Sequence, residues 1–117
     1  MALGTFAQIV VNAADPPRLA RFWAAVLGGD PVDRADGWSV LAAAADRPMM
    51  SFQPDPGAAA APVRLHIDVL VADLAAATAD AERLGARPEG PPVTDEYGAF
   101  QVLRDPEGNA FCLVVPR

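Results

Sequence analysis

The chain has 117 residues, 52% hydrophobic and 21% charged, with a formal net charge of −6. This balance suits one globular domain and excludes a disordered chain. Fifteen acidic residues outnumber nine basic ones, and no basic stripe occurs. Nucleic acid and anionic membranes are therefore excluded as partners, because both need a positive face to displace counterions. No apolar run reaches the length of a membrane span, and MALGTFAQIV lacks the charged and apolar regions of a signal peptide. The single cysteine, Cys112, has no internal disulfide partner. The expectation is a cytoplasmic protein with a reduced thiol.

In chain order, Phe6 to Asn12 is a β-branched run that predicts a strand. Asp15 offers an N-cap and Pro16 fits the first helical turn. Leu19, Phe22, Trp23 and Val26 then recur at helical spacing and make one apolar face. Gly28-Gly29 supplies the stop. Three extended pieces follow, near Pro31 to Arg34, Trp38 to Ala44 and Met49 to Gln53, separated by turn residues. Pro54 to Pro62 (PDPGAAAAP) reads as a linker. A second strand–helix unit opens with Val63 to Val71. Its helix is capped by Asp73, turns Leu74, Ala77, Ala81 and Leu84 inward, and stops at Gly85. Strands near Arg87 to Glu89, Ala99 to Arg104 and Asn109 to Val115 complete it.

The chain thus states one pattern twice. Gln8 aligns with His66, Ile9 with Ile67 and Asp15 with Asp73. Leu27-Gly28 aligns with Leu84-Gly85, and Ser51-Phe52-Gln53 with Ala110-Phe111-Cys112. The reading is a single α+β domain, 1–117, built from two tandem βαβββ modules that form a curved mixed sheet with a concave cleft. Module 1 covers about 4–54, the linker about 54–62 and module 2 about 63–117. A doubly wound α/β fold would need a helix between most strands, and only two helices are legible.

This order, with a HIDV strand, a VADL helix start, LGA and a final DPEGNAFCL, resembles the vicinal oxygen chelate superfamily. That group includes glyoxalase I, extradiol dioxygenases, fosfomycin-resistance enzymes and bleomycin-binding proteins. Small glyoxalase-like domains show the same motifs. The resemblance implies homodimers and, in metal-dependent members, a divalent ion such as Zn, Ni, Mn or Fe. Its four ligands come from the first and last strands of each half. Carried onto this chain, they fall at Gln8, Gln53, His66 and Cys112. Relatives place glutamates on the last strands, where Gln53 and Cys112 stand here. The proton-moving base of a glyoxalase I is then missing, so a degenerate metal site is expected.

Strand alternation places His66 and Asp68 on one face, two residues apart, where Asp68 could orient the imidazole or act as a base. Gln8, Trp38, Met49, Ser51, Gln53, Tyr97 and Cys112 are the candidate ligand-binding residues. Met50 is read with Met49 as an adaptable lining. Cys112 has no neighbouring cation to activate it and reads as a small apolar side chain. Asp105 to Asn109 reads as a turn, with Gly108 and Asn109 suited to left-handed backbone. The functional expectation is a protein binding a small, largely apolar organic ligand. The alternative is a metal-independent isomerase, epimerase or cyclase using His66 and Asp68 for proton transfer. A metal-dependent lyase is the third reading.

Overall fold

A computed structural model describes residues 2, 6–58, 66–96 and 98–117. The chain divides into two compact units, 1–58 and 59–117. The fold is α+β: unit 1 has the order βαβββ, and unit 2 repeats it with one added short strand, each unit having one helix and one mixed sheet.

Unit 1 contains β1 (Gln8–Ala13), α1 (Pro16–Leu27), β2 (Val32–Asp33), β3 (Ser39–Leu41) and β4 (Met49–Pro54), with sheet order β1-β4-β3-β2. β1 runs parallel to β4, while the other pairs are antiparallel. The Asp15 carboxylate accepts from the Arg18 backbone N–H, capping α1, and Pro16 opens the first turn. Such a cap contributes about 1 kcal/mol. α1 buries Leu19, Ala20, Phe22 and Trp23 over Ala13, Leu41, Met50 and Phe52. The Phe22 and Trp23 rings meet edge-on, 5.3 Å apart. Val26 stays half-buried at the helix end. There Arg47 donates to the Gly28 carbonyl, setting a cation where the helix dipole is negative. Met50 does not line the opposite face with Met49. It is 2% exposed and belongs to the core, because successive strand residues point to opposite sides.

Unit 2 contains β5 (Ile67–Leu70), α2 (Leu74–Arg83), β6 (Arg87–Pro88), β7 (Val93–Asp95), β8 (Gly98–Arg104) and β9 (Ala110–Pro116). The predicted strand start at 63–65 and part of the linker, 59–62, lie outside the described residues. β5 runs parallel to β9, and β9 pairs antiparallel with β8. Asp73 caps α2 by accepting from the Ala76 N–H. Val69, Ala81, Leu103, Phe111 and Leu113 form the core, joined by Ala86. Leu84, expected inside, is 43% exposed: it caps α2 beyond the last helical turn, and Ala86 is buried instead.

β7 is an element that hydropathy did not predict. β6 pairs with Leu103 and Arg104 of β8, and β7 pairs with Gly98 to Phe100. Together they form one edge interrupted at Gly90-Pro91-Pro92, where two prolines have no N–H to give a ladder. The Gln101 amide donates to the Gly90 carbonyl across this gap.

The DPEGN turn is built on a buried carboxyl group. Asp105 is 0% exposed, and its carboxylate accepts from the backbone N–H groups of Glu107 and Asn109 and from the Asn109 amide. Only Gly108 here takes positive φ (88°); Asn109, expected to suit left-handed backbone, does not. Gly98, with φ 141°, is a stricter requirement. A Cβ there would lie 2.2 Å from the Val115 carbonyl oxygen and 3.0 Å from the Arg117 nitrogen. The β8–β9 ladder thus has room only for glycine at its end. Gly98→Ala is expected to cost about 3 kcal/mol of stability, measured by urea denaturation.

Candidate functional site

Each sheet has one face under its helix and one facing away. In unit 1 the away-facing set follows from the β1–β4 ladder, which pairs Gln8 with Met49, Val10 with Ser51 and Asn12 with Gln53. The Ser51 hydroxyl donates to Gln8 Oε1. Gln53 stands two rungs further along, beside Asn12. Trp38 precedes β3, half-buried, with the Arg34 guanidinium 5.3 Å above its ring. Tyr97 lies outside the described residues.

In unit 2 the β5–β9 ladder pairs Asp68 with Cys112 and Leu70 with Val114. β8 continues that face with Val102 beside Cys112 and Phe100 beside Val114. β7 adds Val93. The result is an apolar strip with a polar corner. His66 immediately precedes β5, and its Nε2 lies 3.4 Å from Asp68 Oδ1. Donor atoms of His66, Asp68 and Cys112 all lie within 4.8 Å of one another. Sequence alternation foresaw the His66–Asp68 pair. The superfamily resemblance had grouped Cys112 with His66, but its place directly beside Asp68 was not foreseen, because neighbours across a ladder depend on register and not on spacing along one strand.

The electrostatics of this corner are unfavourable to a free thiolate. Burial pushes the Cys112 thiol above its ordinary value, and the Asp68 carboxylate raises it further. Both effects penalise negative charge on sulfur. His66 and Asp68 are exposed, with 58% and 61% of their side-chain surface open.

The ladders also revise the internal alignment. With Ile9 matched to Ile67, their partners Met50 and Phe111 become equivalent, and so do Ser51 and Cys112. Gln53 is therefore two residues past the position of Cys112. An even offset preserves the face, which is why Ser51, Gln53 and Cys112 all point away from their helices.

The family model for the glyoxalase-like domain matches residues 8–114, and the chain belongs to that family. Its fold is that of a glyoxalase/bleomycin resistance protein/dioxygenase family enzyme from Burkholderia phytofirmans, at TM-score 0.78 and 16% identity, covering 95% of this chain and 98% of that one. An antibiotic binding protein, TnmS3, from a Streptomyces species aligns at TM-score 0.70 and 22% identity over 100% of this chain and 99% of its own. A glyoxalase-related enzyme from Fulvimarina pelagi aligns at TM-score 0.72 and 16% identity, covering 97% and 88% of the two chains. No curated protein sequence matches the chain.

The metal set that the superfamily implies does not fit these residues. Gln8 and Gln53 bring no charge, and the Gln8 oxygen already accepts the Ser51 hydroxyl. A hard divalent ion draws its charge compensation from anionic oxygens, which neither amide provides.

One consequence for reactivity follows from the Asp68–Cys112 contact. Asp68→Asn removes the smaller of the two effects on the thiol, so the Cys112 pKa falls part of the way toward its ordinary value while the larger burial effect stays. The rate of Cys112 alkylation by iodoacetamide near pH 8 is expected to rise severalfold, followed by mass spectrometry across a pH series.

Proposed function

We propose that this chain is a small-molecule-binding member of the glyoxalase-like family, and not a glyoxalase I. The observation that carries the reading is the away-facing strip of unit 2, where Leu70 is 73% and Val93 42% exposed beside Phe100, Val102 and Val114. Exposed apolar surface with a few polar groups at its edge is how proteins hold largely apolar organic ligands. The similarity in fold to an antibiotic binding protein supports the ligand-binding reading. The missing glutamates argue against glyoxalase I chemistry, since no carboxylate stands at the two last-strand positions to move the substrate proton.

A second reading is proton transfer by His66 and Asp68 in a metal-independent isomerisation, epimerisation or cyclisation, favoured by their 3.4 Å approach. In that case His66→Ala or Asp68→Asn abolishes turnover while ligand binding persists.

The primary reading is tested by thermal shift against a panel of planar apolar antibiotics, alongside a glyoxalase I assay with methylglyoxal and glutathione. Binding raises Tm in proportion to the logarithm of ligand excess over Kd. A shift with at least one such compound, weakened by Leu70→Asp, and no glyoxalase turnover with added Ni²⁺ or Zn²⁺ are the expected results. Glyoxalase turnover lost on His66→Ala would refute the reading.

We propose further that the protein forms a homodimer. Phe6 is 73% exposed and Val32, on the short strand β2, is 62% exposed, and a symmetric partner would cover such surface. Light scattering coupled to size exclusion is expected to give twice the chain mass at micromolar concentration, and a monomer would contradict it.

A further inference from the structure

We propose that His66, Asp68 and Cys112 form a three-ligand Zn²⁺ site carried entirely by unit 2, with the fourth coordination position open to solvent or to a ligand. The donor set differs from the one the superfamily implies. Asp68 replaces both amides, and no residue of unit 1 takes part.

The geometry comes from the strand ladder. His66 and Asp68 are two residues apart and share a face. Cys112 is the direct partner of Asp68 on the parallel neighbour β9. Three donors on adjacent strands make a triangle, and their ligating atoms already lie within 4.8 Å of one another. A tetrahedral zinc with bonds of about 2.0 to 2.3 Å needs its donors about 3.3 to 3.8 Å apart. His66 Nε2 and Asp68 Oδ1, at 3.4 Å, meet that spacing now. Both side chains are exposed, so the remaining closure is a matter of side-chain rotation and asks little of the backbone.

Charge and donor type point the same way. A thiolate and a carboxylate balance a divalent ion, and imidazole completes a mixed S, N, O set that suits zinc better than magnesium or calcium. Asp68 and Cys112 are rung partners, so one cation can meet both donors. Three protein ligands with one free position are also the pattern of zinc sites that bind substrate, here at the edge of the apolar strip. Such a site would favour apolar molecules that carry a thiol, hydroxamate or other zinc-seeking group.

The proposal does not depend on the small-molecule reading, which stands if zinc fails to bind. The test uses full-length protein stripped with a chelator and titrated with Co²⁺, followed by Zn²⁺ competition. Expected are one equivalent of Co²⁺, a thiolate-to-cobalt charge-transfer absorption, and its loss as Zn²⁺ displaces the probe. Cys112→Ser removes the absorption, and Asp68→Asn weakens Zn²⁺ affinity at least tenfold. The double variant Gln8→Ala/Gln53→Ala binds as the parent does. Circular dichroism confirms that each variant keeps its fold. Absence of the absorption in the parent protein, undiminished binding in Asp68→Asn, or loss of binding in the double amide variant would each overturn the site.

Discussion

Parallel pairing between the first and last strand of each unit is the constraint from which the rest follows. Parallel neighbours cannot be joined by a tight turn, so the chain must travel away and return between them. Here it does so through a helix and further antiparallel strands: α1, β2 and β3 between β1 and β4, and α2, β6, β7 and β8 between β5 and β9. The helix covers one face during that excursion. The face left over is the one on which residues distant in sequence become rung partners.

That constraint makes the chemistry of unit 2 possible. Asp68 and Cys112 are far apart in sequence, yet the β5–β9 ladder makes them direct neighbours. Burial first and the neighbouring carboxylate second raise the thiol's pKa, which disfavours a free thiolate at this rung. The corresponding rung of unit 1 joins Val10 to Ser51 and carries no charge. The repeat therefore supplies two equivalent scaffolds, and a difference at a single rung places a carboxylate beside a thiol in unit 2 where unit 1 has no charge. The family relationship and the likeness to solved structures fix the fold, while function depends on these few rungs.

The architectural residues gather at one end of the β8–β9 hairpin, with Asp105 buried in the turn and Arg104 on the same strand face as Phe100 and Val102, and they explain why the scaffold holds. Asp105 anchors the β8–β9 turn by gathering three nearby donors around a buried carboxylate. Arg104 extends from the same turn to make a two-pronged contact with Glu89 and to donate to the Gly108 carbonyl. Charged groups here are matched within the turn and its neighbouring strand, so they position backbone instead of offering free charge to a ligand.

Much of this was legible along the chain because it depends on nearest neighbours. The caps Asp15 and Asp73, the apolar helix face of α1 and the shared face of His66 and Asp68 follow from local periodicity and hydrogen bonding. So did the repeat, since equivalent local patterns recur at Gln8-Ile9 and His66-Ile67. Register, by contrast, belonged to tertiary structure. Sequence similarity paired Gln53 with Cys112, whereas the ladders pair Ser51 with it, because only hydrogen bonds between strands set the offset. Met50 joined the core and Leu84 left it for the same kind of reason: burial is decided by what packs opposite, not by hydropathy alone. Strand β7 has too little hydrophobic pattern to announce itself and exists because β8 offers it an edge. The sequence by itself determined which local elements form and which way their side chains alternate. Only folding decided which of those side chains meet, since contacts across a sheet are fixed by the path of the whole chain.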